Sequence, residues 1–320
     1  MKICWCGFTG PCMNEMSSGL LRLDPNMQFY IIGQGWSGDK EDYELFGTRK
    51  NQKTYTDQAT LQRDLNEFDV IIYDTYIFSK DDCPNRIKPL IEGRGCPSQW
   101  TWWEELRAIK ILFDGESQAG KIRWYHENMK FFDYVITGNP KMEGYYTYYG
   151  VEERVYKNFG TNNKYKVLYS GDCIGSEYRK DLMNNLLPDP ENKVIVNGKV
   201  SLTEWIQLLN ESKMYIATYS CSSGARYPMN LKQKDAKSLL CGALPLTEEF
   251  PEADQFLAPG IERVTFKDFE DLKAKIEYYN THEEERKKIV EAGKRKVLAE
   301  LTSDKTWEKA FKTFNLIKEG

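Results

Sequence analysis

Histidine is scarce in this chain. Only 2 of its 320 residues carry an imidazole, so any histidine base must be His126 or His282. Long apolar runs are missing as well. No stretch of about 18 apolar residues occurs, and no transmembrane helix is expected. From Met1-Lys2-Ile3-Cys4-Trp5 the chain enters a strand at once, with no apolar segment of signal-peptide length behind a basic start, which leads us to expect a cytosolic protein. There is no basic excess either. Lys and Arg total 44 against 48 Asp and Glu, a net charge of −4, so no overall field draws the chain to nucleic acid. Arg286-Lys287-Lys288 remains a local basic patch, and a nucleic-acid partner is disfavoured without being ruled out. No Gly-x-Gly-x-x-Gly opens a helix after the first strand, so the turn there is not a dinucleotide fingerprint. The 8 cysteines, at positions 4, 6, 12, 83, 96, 173, 221 and 241, are scattered through apparent strands and strand ends, as befits reduced thiols. Cys4, Cys6 and Cys12 form the one cluster. With alternate strand residues on one face and no fourth ligand in view, they read as buried thiols rather than a zinc site.

What is present is the composition of a soluble globular protein: 41% hydrophobic, 29% charged and 13% aromatic residues. Single cores stop growing at about 250 to 300 residues, so two domains are the starting expectation. The first half reads as strand, helix, strand with short connections, the grammar of a parallel α/β sheet. Strands are expected at residues 2–7, 28–33, 69–74, 109–114 and 134–137, and helices at 60–67 and 121–132. The turn Phe8-Thr9-Gly10-Pro11 lies where a first strand-to-helix connection would face a ligand. Asp74 stands at a strand's carboxyl end, and so do Asp114 and Glu116 in the run Asp114-Gly115-Glu116-Ser117. Trp100, Trp102 and Trp103 read as packing beneath a loop, with stacking on a sugar or base as the alternative. His126 reads as a half-buried helix residue. Gly144 to Gly150 is a tyrosine-dense turn, and a domain boundary falls near residue 160.

The second half starts afresh with a strand at 165–171 that ends on Gly171, followed by a helix opening at Glu177-Tyr178-Arg179-Lys180. A strand, a glycine turn and a helix N-terminus make an anion site, because free backbone N–H groups and the helix dipole point the same way. Arg179 would supply charge there. A strand at 193–196 follows, then a helix at 203–210 with Ser201 as its N-cap, and a strand at 212–219. Next comes a small and polar run, Cys221-Ser222-Ser223-Gly224, which turns basic at Arg226, Lys232, Lys234 and Lys237. Those four cations read equally as a diphosphate site or as a solvated helix face. The stretch Ser238 to Glu249 is the end of a helix, a tight turn on Gly242 and a buried strand. Its termination at Glu248 and Glu249 places two acids where ligands of open sheets bind. Two amphipathic helices, 268–279 and 283–300, read as scaffold, and a last helix from Trp307 to Lys318 shows Trp307, Phe311 and Phe314 on one face.

The series Cys241-Gly242-Ala243-Leu244-Pro245-Leu246-Thr247, Ala258-Pro259-Gly260-Ile261-Glu262, Asp271-Leu272, Glu285-Arg286-Lys287-Lys288-Ile289 and Ala292-Gly293 resembles the C-terminal domain of the CgeB-like, group 1 glycosyltransferases. It covers roughly residues 165 to 305. The resemblance implies an α/β protein of GT-B type, with two Rossmann-like domains facing across a cleft. It divides the chain into 1–160 for the acceptor, 161–303 for the donor, and a helix 304–320 that crosses back to the first domain. It implies transfer from a nucleoside-diphosphate sugar, most readily a UDP-sugar, to an acceptor hydroxyl of a saccharide, a protein or a hydroxymethylated base of phage-type DNA. No metal or other cofactor is required. The Lys-, Asn- and Tyr-rich composition is compatible with an AT-rich or viral genome. By the same resemblance Gly171, Arg179, Ser222, Ser223, Arg226, Lys232, Lys234 and Lys237 hold the donor, and Asp114, Glu116, Asp74 and His126, in that order, are candidates for the base. Related retaining enzymes carry a Glu four residues before the Cys-Gly pair, where it holds the ribose. Here that position is Lys237, its counterpart eight residues earlier is Met229, and Glu248 or Glu249 are candidates to replace it. A non-catalytic binding protein of the same shape is therefore the alternative.

Overall fold

The computed structural model describes residues 1–6, 11–31, 52–54, 58–74, 102–114, 129–171, 177–196, 200–219 and 233–318. The chain forms two compact units, one of Met1–Gly150 with Ser303–Gly320 and the other of Val151–Thr302. The division falls about ten residues before the expected boundary near 160, because the segment that begins at Val151 is tied to the second unit: the Val151 N–H donates to Leu301 O at 3.0 Å.

In the first unit the described strands are β1 (Ile3–Cys6), β2 (Gln28–Ile31), β3 (Gln52–Thr54), β4 (Val70–Asp74), β5 (Ile109–Asp114), β6 (Tyr134–Thr137) and β7 (Tyr145–Tyr146). They form a parallel sheet in the order β3-β2-β1-β4-β5-β6-β7. Alternation sorts the strand residues onto two buried faces. Ile3, Trp5, Val70, Ile72, Ile111 and Phe113 join one core cluster, and Cys4, Cys6, Ile71, Tyr73 and Leu112 join the other. Cys4 and Cys6 thus lie buried with their sulfurs 3.5 Å apart, as strand alternation requires. Trp102 and Trp103 belong to the second cluster, and Trp103 Nε1–H donates to Phe131 O at 3.0 Å. They are packing, not an exposed platform.

Helix α1 (Pro11–Leu23) has no counterpart among the sequence-based expectations. Ser17, Ser18 and Gly19 lower its intrinsic propensity, so tertiary packing must carry it. The glycine is needed for close approach: a Cβ there would lie 2.5 Å from the carbonyl carbon of Ser303. Opposite stands the last helix, described here over Ser303–Thr313, four residues earlier at its start than the aromatic spacing suggests. Its Trp307 is fully buried, meets Trp5 edge-on at 6.1 Å, and donates Nε1–H to Met16 O at 2.8 Å. Helix α2 (Gln58–Leu65) packs Leu61 and Leu65 on the other face of the sheet. The part of the expected 121–132 helix that is described is a single 3-10 turn at Met129–Phe131. Two of the Tyr-rich turn's residues pair with β6 as strand β7.

The second unit contains β8 (Tyr165–Gly171), α3 (Glu177–Leu186), β9 (Asn192–Val196), α4 (Leu202–Asn210), β10 (Ser212–Ala217), α5 (Lys234–Cys241), β11 (Leu244–Glu248), β12 (Val264–Phe266), α6 (Phe269–Thr281) and α7 (Glu283–Glu300). The last helix of the chain, in the first unit, is α8. The second sheet is parallel throughout, in the order β12-β11-β10-β8-β9. Ser201 caps α4 as its residue type predicts, accepting the Glu204 N–H at 3.1 Å. Gly242 ends α5 in the left-handed region at φ 94°, where a side chain is strained, and the chain turns directly into β11.

Candidate functional site

Open parallel sheets bind ligands outside the carboxyl ends of the strands where strand order reverses. In the second sheet the reversal lies between β8 and β10, since β9 follows β8 to one side and β10 pairs on its other side. Ser170 and Gly171 end β8 at that point. The structure gathers an unexpected group around Ser170. Lys234 Nζ donates to the Ser170 carbonyl at 2.9 Å, Trp205 Nε1–H donates to Ser170 Oγ at 3.0 Å, and Tyr215 Oη lies 3.1 Å from the same hydroxyl. The expected donor-side residues Gly171, Arg179, Lys234 and Lys237 all belong to this region.

The charges that act on Lys234 here are positive. Lys234 sits at the start of α5, and although part of its side chain reaches solvent, its ammonium lies deep. Burial first, then the like charges of Arg179 and Lys237, push its pKa down to about 8. Burial likewise pushes the Tyr215 phenol far above its ordinary value, against the Ser170 hydrogen bond and the charges of Lys237 and Arg179, so it stays neutral. Arg179 and Lys237 thus act on Lys234 at the end of a strand. A diphosphate entering there would meet charge already held in place.

Lys237 has a different local role. It is buried, one helical turn from Lys234, with its ammonium 5.2 Å from the Tyr156 ring centre and 6.0 Å from that of Trp205. Cation–π contact compensates a buried ammonium in part. Trp205 in turn meets Tyr156 and Tyr215 edge-on, each at 6.1 Å. One turn further along, the Cys241 thiol is pushed up to about 12 by burial and is inert.

Glu248 and Glu249 part company. Glu248 is buried and its Oε2 accepts the Tyr219 N–H at 3.2 Å, whereas the Glu249 side chain is exposed. Glu248 is the last residue of β11, all five of whose residues are buried, and Glu249 lies beyond the strand's end. Ser222, Ser223, Arg226 and Lys232 lie outside the described residues.

In the first sheet the reversal lies between β1 and β4, and Asp74 ends β4 there. Asp114 ends β5, is 1% exposed, and accepts the Thr137 hydroxyl at 2.8 Å, while the Tyr149 hydroxyl donates to its carbonyl. Its carboxylate is committed to the protein interior in this arrangement. Glu116 and His126 lie outside the described residues. His282 is exposed at the junction of α6 and α7, its ring stacked 3.8 Å above Tyr278. Among the described residues no group of three His, Cys, Asp or Glu side chains is placed to hold a metal, and no helix is long and apolar enough to cross a membrane.

Residues 161–312 match a family model described as glycosyl transferase-like, a span that contains the whole cation cluster. Among solved structures, that of HepE from Anabaena in complex with UDP-glucose superposes with a TM-score of 0.69 at 10% identity, over 99% of this chain and 100% of that one. The chain has the GT-B glycosyltransferase fold. A glycosyltransferase from Rickettsia africae matches this GT-B chain with a TM-score of 0.62 and 12% identity over 98% of both chains. Sucrose-phosphate synthase from Thermosynechococcus elongatus gives 0.62 at 8% identity, covering 99% of this chain and 98% of the synthase. No curated protein matches by sequence. Identities this low establish the GT-B fold, and the chemistry is argued from the residues.

Ser170, Tyr215, Trp205 and Tyr156 escaped the sequence-based search. The one available signal was Ser170 standing next to Gly171 at a strand's carboxyl end. The aromatic residues come from three separate segments, and only tertiary packing makes them neighbours.

Proposed function

We propose that the protein is a glycosyltransferase that moves a sugar from a nucleoside-diphosphate sugar to an acceptor hydroxyl. The observation that carries this reading is the convergence of Arg179, Lys234 and Lys237 at the strand reversal of the second sheet, with Lys234 Nζ fixed on the Ser170 carbonyl. Breaking the bond between sugar and diphosphate leaves negative charge on the departing diphosphate, and fixed cations stabilise that charge most where it develops. Arg179 and Lys234 take the phosphates, with Arg226 and Lys232 as further contributors from the basic run, so that no metal is needed. A UDP-sugar is the donor to test first, since HepE is seen with UDP-glucose. The acceptor is a hydroxyl of a saccharide, a protein or a modified DNA base, met at neutral pH in the cytoplasm of a cell or of a phage-infected host.

An inverting reaction needs a base within hydrogen-bond reach of the acceptor hydroxyl. Asp74 is the residue to substitute first, because β4 ends at the strand reversal, whereas Asp114 already accepts Thr137. Glu116 and His126 follow.

Lys237 supports a second reading. With its ammonium against Tyr156 and Trp205, this chain places a cation where retaining relatives use a ribose-binding Glu. A GT-B binding protein without turnover would keep nucleotide affinity and lose transfer. Calorimetric titration with UDP, followed by a release assay on UDP-glucose, UDP-N-acetylglucosamine and UDP-xylose, separates the two. Binding with UDP release supports the enzyme, binding without release supports the second reading, and no binding by any uridine, guanosine or thymidine diphosphate sugar overturns both.

A further inference from the structure

Asp235 follows Lys234 directly, in the first turn of α5, and it is an acid within a cation site. Left to itself, a carboxylate in that position would neutralise the charge meant for an anion. The structure holds it with partners from other segments of the second unit. Asp235 is 1% exposed, and its Oδ2 accepts a short hydrogen bond from the Tyr219 hydroxyl. The guanidinium of the fully buried Arg263 stands behind both, with Nη1 donating to Tyr219 Oη at 2.9 Å and lying 4.0 Å from Asp235 Oδ2. Its Nη2 donates to Asp254 Oδ1 at 2.5 Å. Tyr219 is itself fixed through its N–H to Glu248 and by its ring against Phe250, 5.2 Å between centroids. Four segments of the second unit meet here: the end of β10, the start of α5, the end of β11, and the connection into β12.

Burying an Arg and an Asp in a core is expensive, and an apolar pair of the same volume often serves stability as well or better. We propose that Arg263 and Tyr219 are positioning residues that hold the Asp235 carboxylate away from Lys234, so that the Lys234 charge stays available to an anionic diphosphate. This rests on the reading that the cation cluster receives a nucleoside diphosphate. The groups facing Lys234 are consistent with it: the Ser170 carbonyl from β8, the neutral Tyr215 from β10, Arg179 from α3 and Lys237 from its own helix. Helix geometry separates consecutive residues by about 100°, which turns Asp235 toward Arg263 while Lys234 reaches β8.

The test uses the full chain in four forms: native, Tyr219→Phe, Arg263→Met, and Arg263→Met combined with Asp235→Asn. Thermal melts establish which are folded. Two readouts follow: the pH dependence of amine labelling at Lys234, read by mass spectrometry without ligand, and the UDP dissociation constant at pH 7. Once Asp235 is released, the Lys234 labelling midpoint should rise by about one pH unit in Arg263→Met and by less in Tyr219→Phe, since a nearby carboxylate favours the ammonium. UDP binding should weaken about tenfold in Arg263→Met and severalfold in Tyr219→Phe. The double variant, which lacks the released charge, should bind within about threefold of native. Purely structural residues would give a double variant no better than Arg263→Met and an unmoved Lys234 midpoint, and either result overturns the proposal. Should Arg263→Met fail to fold, Tyr219→Phe decides through the same two readouts. If the native protein does not bind UDP, the donor reading falls, while the Lys234 midpoint still decides whether Asp235 is sequestered.

Discussion

At the scale of single residues, Lys234 is the group on which most depends. Its ammonium is held at a pKa of about 8 against 10.5 for a free lysine side chain, by burial and by two neighbouring cations. The sign of the consequence is fixed. Between those two values the unfolded chain carries the proton and the folded chain does not, so this residue disfavours the folded state at pH 7 and ceases to do so as pH rises through about 8 to 10.5. Binding runs the other way. An anion needs the protonated form, so UDP affinity should fall about tenfold between pH 7 and pH 9, as titration calorimetry at matched ionic strength would show. Lys234→Met removes both effects together. We expect at least a tenfold loss of UDP affinity, the usual size for a charge-assisted contact, with a melting temperature equal to or above that of the native chain at pH 7. A lower melting temperature would mean that the hydrogen bond to the Ser170 carbonyl outweighs the burial of charge.

At the scale of elements, the passage from α5 to β11 was readable because Gly242 has few roles open to it. A left-handed residue after a helix is usually glycine and sometimes asparagine, as Asn315 is after α8 at φ 59°. The structure adds a second constraint, since a Cβ on Gly242 would lie 2.4 Å from Asn158 Nδ2. Gly242→Ala should therefore destabilise the protein by about 1 to 3 kcal/mol, measurable as a lower denaturant midpoint with unchanged slope. It should weaken UDP binding less than Lys234→Met does, because the cap lies at the opposite end of α5 from Lys234. Helix α1 shows the reverse case. Its Ser17-Ser18-Gly19 run argues against a helix locally, yet Gly19 is the residue that lets α8 come close. Aromatic spacing revealed α8 and nothing nearby in sequence revealed its partner.

At the scale of the whole molecule, the chain's last segment, 303–320, belongs to the first unit, whereas residues 151–302 form the second. Trp307, Phe311 and Phe314 complete a core cluster with Ile3, Trp5, Met16 and Phe113. Ending the chain after Thr302 would strip that face, and truncating one buried Trp alone costs about 3 to 5 kcal/mol. We expect the first unit of such a chain to lose protection from hydrogen exchange at β1, β4 and β5, while β8, β10 and β11 keep theirs. Equal loss in both units would show that their stabilities are not separate.

Periodicity and punctuation are local, and the sequence by itself therefore determined what local physics can determine: parallel strands with apolar faces, the Ser201 cap, the Gly242 turn, buried thiols at Cys4 and Cys6, and a basic run before a helix. What it left undecided was which faces and ends meet. The same spacing allowed Arg226, Lys232, Lys234 and Lys237 to be a solvated helix face, and it set Asp114 first among acids although its carboxylate accepts Thr137. Strand order puts Ser170 at the reversal between β8 and β10, and tertiary packing turns Lys234 onto its carbonyl, sets Lys237 against rings from two distant segments, and sends Asp235 to Arg263. These contacts join residues far apart along the chain, and chain closure decides them because no local preference distinguishes one cation's direction from another's.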